Sequence, residues 1–469
     1  MKISAPEYFA CPGDSILFQV EAINRSGANI IMDSILLPDG CSTKTGLSLS
    51  NNAGQIVKVN YLISPEAKFS QPYWLAEKHV TGLFNVKDQQ SIGMAESRTA
   101  LEAAICATIQ GQKIRFTRPV VYKTNDPVQG ELYRPFVILP PAFIRLNREV
   151  LLFSSDKEVK LTADVRSVKE QFTGKFSLSL PSGWQVTPAA YEIAPMKKGE
   201  VRQFEFSIVP PAGQQSAVGV AHLVSEGKEY AYDYIELKYD HIPTQTLMPE
   251  SSAKFVKLDI TVGNEKIGYL SGPGDDVPKA LRQLGYSVEL INDLDFTEEN
   301  LDAFDVIILG VRSLNTVGRL RNDLSKLFEF ASRGGNLIVQ YNTSQGLVNN
   351  QIMPYKLQLS RNRVTDENSE VRFLNPGHTV LQYPNKITKA DFDGWIQERG
   401  LYFPDQWALE FQPIISMNDN GEAALDGGIL VADYGNGKVI HTSLSWFRQL
   451  PAGVPGAYRI FVNLISQKQ

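Results

Sequence analysis

Up to about residue 240 the apolar residues of this chain recur at every second position, and after Gly263 they recur at every third and fourth. A period of two puts alternate side chains on opposite faces of a strand. A period near 3.6 gathers them on one face of a helix. The switch divides the chain into a β part and a part in which strands and helices alternate. At 469 residues the chain exceeds what one core usually holds, and the ordinary size of domains suggests about three units of roughly 150 residues.

In the β part, Ser15–Ala22 and Ile56–Ile63 are short alternating runs bounded by turn residues. In the second run Val57, Val59, Tyr61 and Ile63 make an apolar face, opposite the mixed face of Ile56, Lys58, Asn60 and Leu62. Such a strand is half-buried in a sandwich. The diproline Pro140–Pro141 ends a strand, because proline lacks the ladder donor and fixes φ. A domain junction is therefore expected near Pro140–Arg148. Runs around Val159–Val165, Phe176–Leu180 and Phe204–Ile208 continue the alternation, and about seven such runs in roughly 100 residues match an immunoglobulin-like sandwich with Trp184 in its core. The expected division is an Ig-like sandwich over 1–143, a second over 144–240, a linker over 241–262 that ends in a strand, and an α/β unit over 263–469.

In that last unit Lys266–Leu270 reads as a buried strand. Val277, Ala280, Leu281 and Leu284 share one helical face, with Asp275 or Asp276 as cap, Pro278 in the first turn and Gly285 at the end. Further strands are expected at Tyr286–Ile291, Asp305–Gly310 and Asn336–Tyr341, and a helix carries Leu320, Leu324, Leu327, Phe328 and Ala331. Alternating strands and helices imply a parallel sheet, with ligands at the carboxyl ends of its strands. Asn436-Gly437 signals a hairpin between two late strands.

The net charge is -5, from 46 basic and 51 acidic residues. Residues 1–260 carry 27 of each sign, so neither part offers the basic field that nucleic acid needs. No apolar run of about 18 residues exists to form a membrane-spanning helix. Met1–Asp14 has no apolar stretch after Lys2, so a signal peptide is not visible. Cys11, Cys41 and Cys106 form no CxxC pair. Cys11 and Cys41 could close a loop of about 30 residues in an oxidising compartment, worth about 3 kcal/mol, but buried free thiols are the expected state. No clustered His and carboxylate spacing suits a metal, and no cofactor is expected.

The chemistry-bearing candidates lie at the expected carboxyl-end loops. The Ser271–Asp276 loop, SGPGDD, could cradle an anion, or be a tight turn and helix cap; its two Asp residues argue against phosphate. Ser313 follows a strand but lacks the GxSxG elbow. His441 lies in an apolar strand and reads as a core histidine, and His378 follows a turn as a cap or ligand contact. Asp391–Trp407 (DFDGWIQERGLYFPDQW) is rich in aromatic and charged residues. Trp395, Tyr402, Phe403 and Trp407 could stack against a ligand or pack the sheet edge. Arg312, Arg399 and Arg448 could converge on an anionic group or form structural ion pairs.

The segments NPGHTVLQYPNKIT, DFDGWIQERGLYFPDQW and GKVIHTSLSWFRQLPAGVPGAYRIFVNLI resemble the carboxyl-terminal part of long bacterial PIG-L/LmbE-like deacetylases. VVYKTNDPVQGELYRPFVILPP is similar to their Ig-like region. The resemblance spans roughly residues 5–466. It implies a terminal domain like a class I glutamine amidotransferase or a ThuA-like protein, of flavodoxin-like architecture. The nucleophile position falls at Gln340-Tyr341-Asn342, and 263–469 contains no Cys. The family's His-Pro-Asp-Asp zinc motif is absent from this sequence, so deacetylation maps to no residue here. The resemblance implies a periplasmic or cell-surface location.

The expectation is thus two all-β Ig-like sandwiches followed by a degenerate amidotransferase-like α/β parallel-sheet domain, acting as an accessory region of an N-deacetylase. That domain would bind a glycan or dock the deacetylase catalytic domain. Its candidate ligand-binding residues are Ser271, Asp275, Arg312, Ser313, Gln340, Asn342, Arg399, Tyr402, Trp446 and Arg448. The alternatives are a serine-dependent ester or amide hydrolase acting through Ser313, and a structural spacer.

Overall fold

The computed structural model describes residues 1–80, 82–292 and 296–467. In the first unit, Lys2–Ala5 lies between Ser15–Ile23, which it meets antiparallel, and Gln112–Asp126, which it meets in parallel. Ser15–Ile23 pairs in turn with Gly54–Leu62. The 15-residue strand Gln112–Asp126 serves two layers. Up to Pro119 it pairs with Glu102–Ile109, which continues to Ile30–Leu36 and then Ser42–Ser48. Both layers close over one core that includes Phe18, Val20, Met32, Ile35, Ile105 and Val120. The alternation around residue 60 sets the facing: Val59 and Tyr61 are buried, whereas Ile56 and Leu62 are exposed. The three cysteines are unpaired, and the buried Cys11 thiol donates to the Pro140 carbonyl at 3.6 Å.

The second unit sets a four-stranded sheet (Ala142–Leu146, Val159–Ser167, Val201–Val209, Gln185–Thr187) against a six-stranded one. Phe176, Phe206 and Phe255 fill the space between them, and Trp184 packs edge-on to Phe153 and Phe255 at 5.1 and 5.8 Å. The stretch expected as a linker belongs to these sheets. Ser252–Lys257 is inserted between Gln215–Ser225 and Val150–Phe153, and Gln245–Leu247 pairs with Ile235–Leu237. Its Phe255 and Val256 are fully buried, so 241–262 is part of the fold.

The third unit contains β1 (Lys266–Leu270), α1 (Val277–Leu284), β2 (Ser287–Leu290), β3 (Val306–Leu309), α2 (Leu320–Ser332), β4 (Asn336–Val339), β5 (Ile429–Tyr434), β6 (Gly437–Thr442) and α3 (Pro455–Ile465). The sheet order is β2-β1-β3-β4-β6-β5, with Gln412–Pro413 at the edge beyond β5. β5 and Gln412–Pro413 run antiparallel to their neighbours, because the Asn436-Gly437 turn folds β6 straight back along β5. α1 and α3 cover one face and α2 the other.

The expected fold class is corrected. Strands hold 42% of the residues and helices 13%, in many separate sheets, so the chain is mostly β. Its last sheet is mixed. Between β4 and β5 the chain forms three two-stranded antiparallel sheets: Leu357–Leu359 with Pro404–Trp407, Arg363–Val364 with Gly400–Leu401, and Arg372–Phe373 with Ile415–Ser416. Regular strand–helix alternation stops at β4, and the parallel-sheet α/β assignment with an amidotransferase-like, flavodoxin-like domain fails. The reason lies in 342–428, whose turn-rich sequence supports only short antiparallel pairs and helices of one turn.

The second and third units are tied together. Lys254 Nζ donates to the carbonyls of Ala452 and Gly453 at 2.8 and 3.0 Å. Gly453 has φ +64°, and a Cβ there would come within 2.8 Å of Val150.

Candidate functional site: an aromatic face at the strand ends

The loops after β1, β3 and β4 meet at one edge of the sheet, and the side chains there form two layers. The inner layer is polar and buried. Tyr269 Oη donates to the Asp275 carboxylate, 2.8 Å from each oxygen, and accepts from Gln340 Nε2 at 2.9 Å. Asp275 also accepts from the Val277 N–H at 3.0 Å, satisfying the first free donor of α1 from the position before its N-cap, Asp276. Burial holds the Asp275 carboxyl above its usual range despite these donors. Asn342 donates to the Gln340 carbonyl and accepts from the Leu314 N–H, both at 2.9 Å. Ser313 is fully buried, and its Oγ has no partner among the described residues.

The SGPGDD loop is a turn and cap. A Cβ on Gly272 would fall 2.0 Å from the Val311 carbonyl oxygen. A backbone carbonyl and the Asp275 carboxylate therefore line the place where an anion would need N–H donors. Ser271 is exposed at the rim.

Above it lies an aromatic cluster in which Tyr341 is buried and Tyr402 and Phe447 are half-buried. Tyr341 and Tyr402 lie with their rings 5° from parallel and centroids 6.2 Å apart, and Phe447 approaches Tyr341 at 5.4 Å. Val311 and Leu401 complete this cluster. Arg312, Glu398 and Arg448 are the charged groups around Tyr341. Arg448 Nε pairs with Glu398 at 2.7 Å, while the Arg312 side chain is exposed. Arg363 approaches the Tyr402 ring at 6.0 Å. Arg312 and Tyr402 both adopt left-handed backbone, with φ of 55° and 52°. That region costs a non-glycine residue about 1–2 kcal/mol.

Of the sequence candidates, Arg312, Tyr402 and Arg448 thus come together around Tyr341. Asp275, Gln340, Asn342 and Ser313 lie beneath them as scaffold. Trp446 and Arg399 do not reach the face. Trp446 is fully buried with Nε1 bonded to Thr442 Oγ1 at 3.0 Å, in the core under α3. Arg399 is 4% exposed, and its guanidinium donates to the carbonyls of Ser369 and Phe392. Burial lowers its pKa to about 10. Tyr341 and Phe447 were not among the candidates. Their sequence signals are the Gln340-Tyr341-Asn342 turn and the aromatic segment Ser445–Gln449, which leaves the last long strand toward the same sheet edge.

His378 Nδ1 accepts from the Val380 N–H at 3.1 Å and caps a one-turn helix. His441 is fully buried with neither ring nitrogen bonded among the described residues. Among the described residues no group of three His, Cys, Asp or Glu could hold a metal. No helix there is long and apolar enough to cross a membrane.

No family model matches the chain, and no curated protein matches it. Among solved structures, native alpha-2-macroglobulin of E. coli is 12% identical over 54% of this chain and 16% of its own, with a TM-score of 0.19. An MSP family member of C. elegans is 10% identical over 24% of this chain and 97% of its own, with a TM-score of 0.15. A cycloisomaltooligosaccharide glucanotransferase of Paenibacillus is 10% identical over 42% and 27%, with a TM-score of 0.18. The chain spans about a sixth of the alpha-2-macroglobulin it matches. Similarities this distant carry no functional argument, and none of these three proteins is a PIG-L deacetylase.

Proposed function

We propose that this chain is a binding region of a PIG-L/LmbE-like N-deacetylase system, and that its third unit presents the half-buried Tyr402 and Phe447, backed by the buried Tyr341, to a carbohydrate. The observation that carries this reading is the near-parallel pair Tyr341 and Tyr402, flanked by Phe447 and bordered by Arg312. Aromatic faces stack on the apolar C–H faces of sugar rings, and a neighbouring guanidinium supplies hydrogen bonds to hydroxyl or acidic groups. The left-handed backbone of Tyr402 and Arg312 fits the same reading, because strain of this kind gathers where side chains are held for contact.

The hydrolase alternative has less support. A serine nucleophile needs a base within hydrogen-bond reach. Ser313 Oγ is buried with no partner among the described residues, and His378 Nδ1 is engaged by backbone.

The test is calorimetry and glycan-array binding with the whole chain. Binding that is lost in Tyr402→Ala and Phe447→Ala, with unchanged melting temperature, supports the reading. If no glycan binds, the carbohydrate assignment fails, and pull-down with a separately expressed deacetylase domain then distinguishes docking from a spacer role.

A further inference from the structure

A cavity of about 550 Å³ lies where the first unit meets residues 243–246, far in sequence from the aromatic face. This volume falls in the range of small-ligand pockets, about 300–1,000 Å³. Its floor is apolar: Tyr61, Leu101 and Phe136 are each at most 7% exposed. Phe69 forms one wall. It packs on Tyr232 at 5.5 Å and Tyr230 at 6.3 Å, so the second unit holds it in place.

The lining contains three charged residues, Lys68, Glu96 and Arg98. The carboxylate is engaged, since Glu96 Oε2 accepts from Gln245 Nε2 at 2.7 Å. Lys68 and Arg98 are exposed, and neither forms an ion pair among the described residues. Glu66, two residues from Lys68, pairs instead with Lys228. The cavity therefore combines a water-shielded apolar floor with two uncommitted cations at its mouth.

We infer that this cavity is a binding site for a small organic anion with an apolar body, an acyl or aryl carboxylate. The hydrophobic part would lie on Tyr61, Leu101 and Phe136, and the carboxylate would meet Lys68 and Arg98. An apolar body gains from the floor whatever its charge, whereas the anionic head gains only where unpaired cations await it. The inference is independent of the carbohydrate reading, because the two sites share no residue.

Fluorescence titration of the whole chain with 8-anilinonaphthalene-1-sulfonate tests it, with decanoate and decanol as competitors. Expected are one saturable site, displacement by decanoate, and displacement by decanol at least about fivefold weaker. The exposed substitutions Lys68→Gln and Arg98→Gln together should weaken dye and decanoate binding about tenfold without moving the melting temperature. Leu101→Trp should fill the floor and abolish binding. The assignment is overturned if the dye does not saturate, if Lys68→Gln/Arg98→Gln binds as the wild type does, or if decanol competes as well as decanoate.

Discussion

The Asp391 carboxylate accepts from Arg459 Nε at 2.7 Å, with the two side chains only 9% and 17% exposed. The same carboxylate accepts from the Thr388 N–H at 2.7 Å, and Arg459 Nη2 donates to the Lys386 carbonyl at 2.8 Å. The pair clamps α3 to the turn over Lys389–Phe392. The approach is close enough that a Cβ on Gly456 would fall 1.9 Å from the Asp391 carbonyl oxygen. Asp391→Ala would strand a guanidinium and a backbone donor, and it should cost about 3–5 kcal/mol. Gly456→Ala should cost about 1–3 kcal/mol through overpacking. Urea unfolding measures both, and an Asp391→Ala loss under about 1 kcal/mol would show that the clamp contributes little.

On the proposed carbohydrate reading, Trp446 serves stability and Tyr402 recognition. Trp446 lies in the core against Trp395 and Phe461, at 5.6 and 5.2 Å between ring centroids. Trp446→Ala should cost about 3–5 kcal/mol, as aromatic truncations in cores do. Glycan affinity measured on the folded fraction should stay unchanged.

Tyr402→Gly should behave in the opposite way. Glycine relieves the left-handed strain at φ 52°, which offsets part of the packing lost with the ring. The melting temperature should change by no more than a few degrees. Glycan affinity should drop about tenfold or more, a loss of at least about 1.4 kcal/mol. Equal binding by Tyr402→Gly and wild type would remove Tyr402 from the recognition face.

What could be read before the structure depended on how far each signal had to reach. α1 was legible to the residue because its signals are local: Val277, Ala280, Leu281 and Leu284 are buried, Pro278 is in the first turn, and Gly285 ends the helix at φ 102°. The facing of Gly54–Leu62 followed from alternation alone. A strand is legible at the end of 241–262, but its place inside a sheet is not, because one neighbour, Val150–Phe153, lies about a hundred residues earlier. The site failed at the single-residue level. Trp446 and Phe447 are adjacent, yet the one-turn helix Trp446–Gln449 turns the first into the core and the second toward Tyr341. For Arg399 both an anion contact and a structural ion pair are open from composition, which does not reveal that backbone carbonyls satisfy its guanidinium.

His441 makes stability depend on pH in a definite window. It lies on β6 between Val339 and Leu430, is fully buried, and burial lowers its pKa from 6.5 to about 3. The unfolded chain takes up a proton near pH 6.5, whereas the native chain resists until about pH 3. This contribution is therefore complete above pH 6.5 and is lost progressively as pH falls toward 3. By pH 5 the loss reaches about 2 kcal/mol, one and a half pH units at about 1.4 kcal/mol each. His441→Leu removes both the proton site and two ring nitrogens without a partner among the described residues, whose burial costs about 1–3 kcal/mol. The variant should equal or exceed wild-type stability at pH 7 and lose less on going to pH 5. Chemical denaturation at pH 7, 6 and 5 measures both slopes. Parallel pH profiles in the two proteins would show that His441 finds a partner in solution.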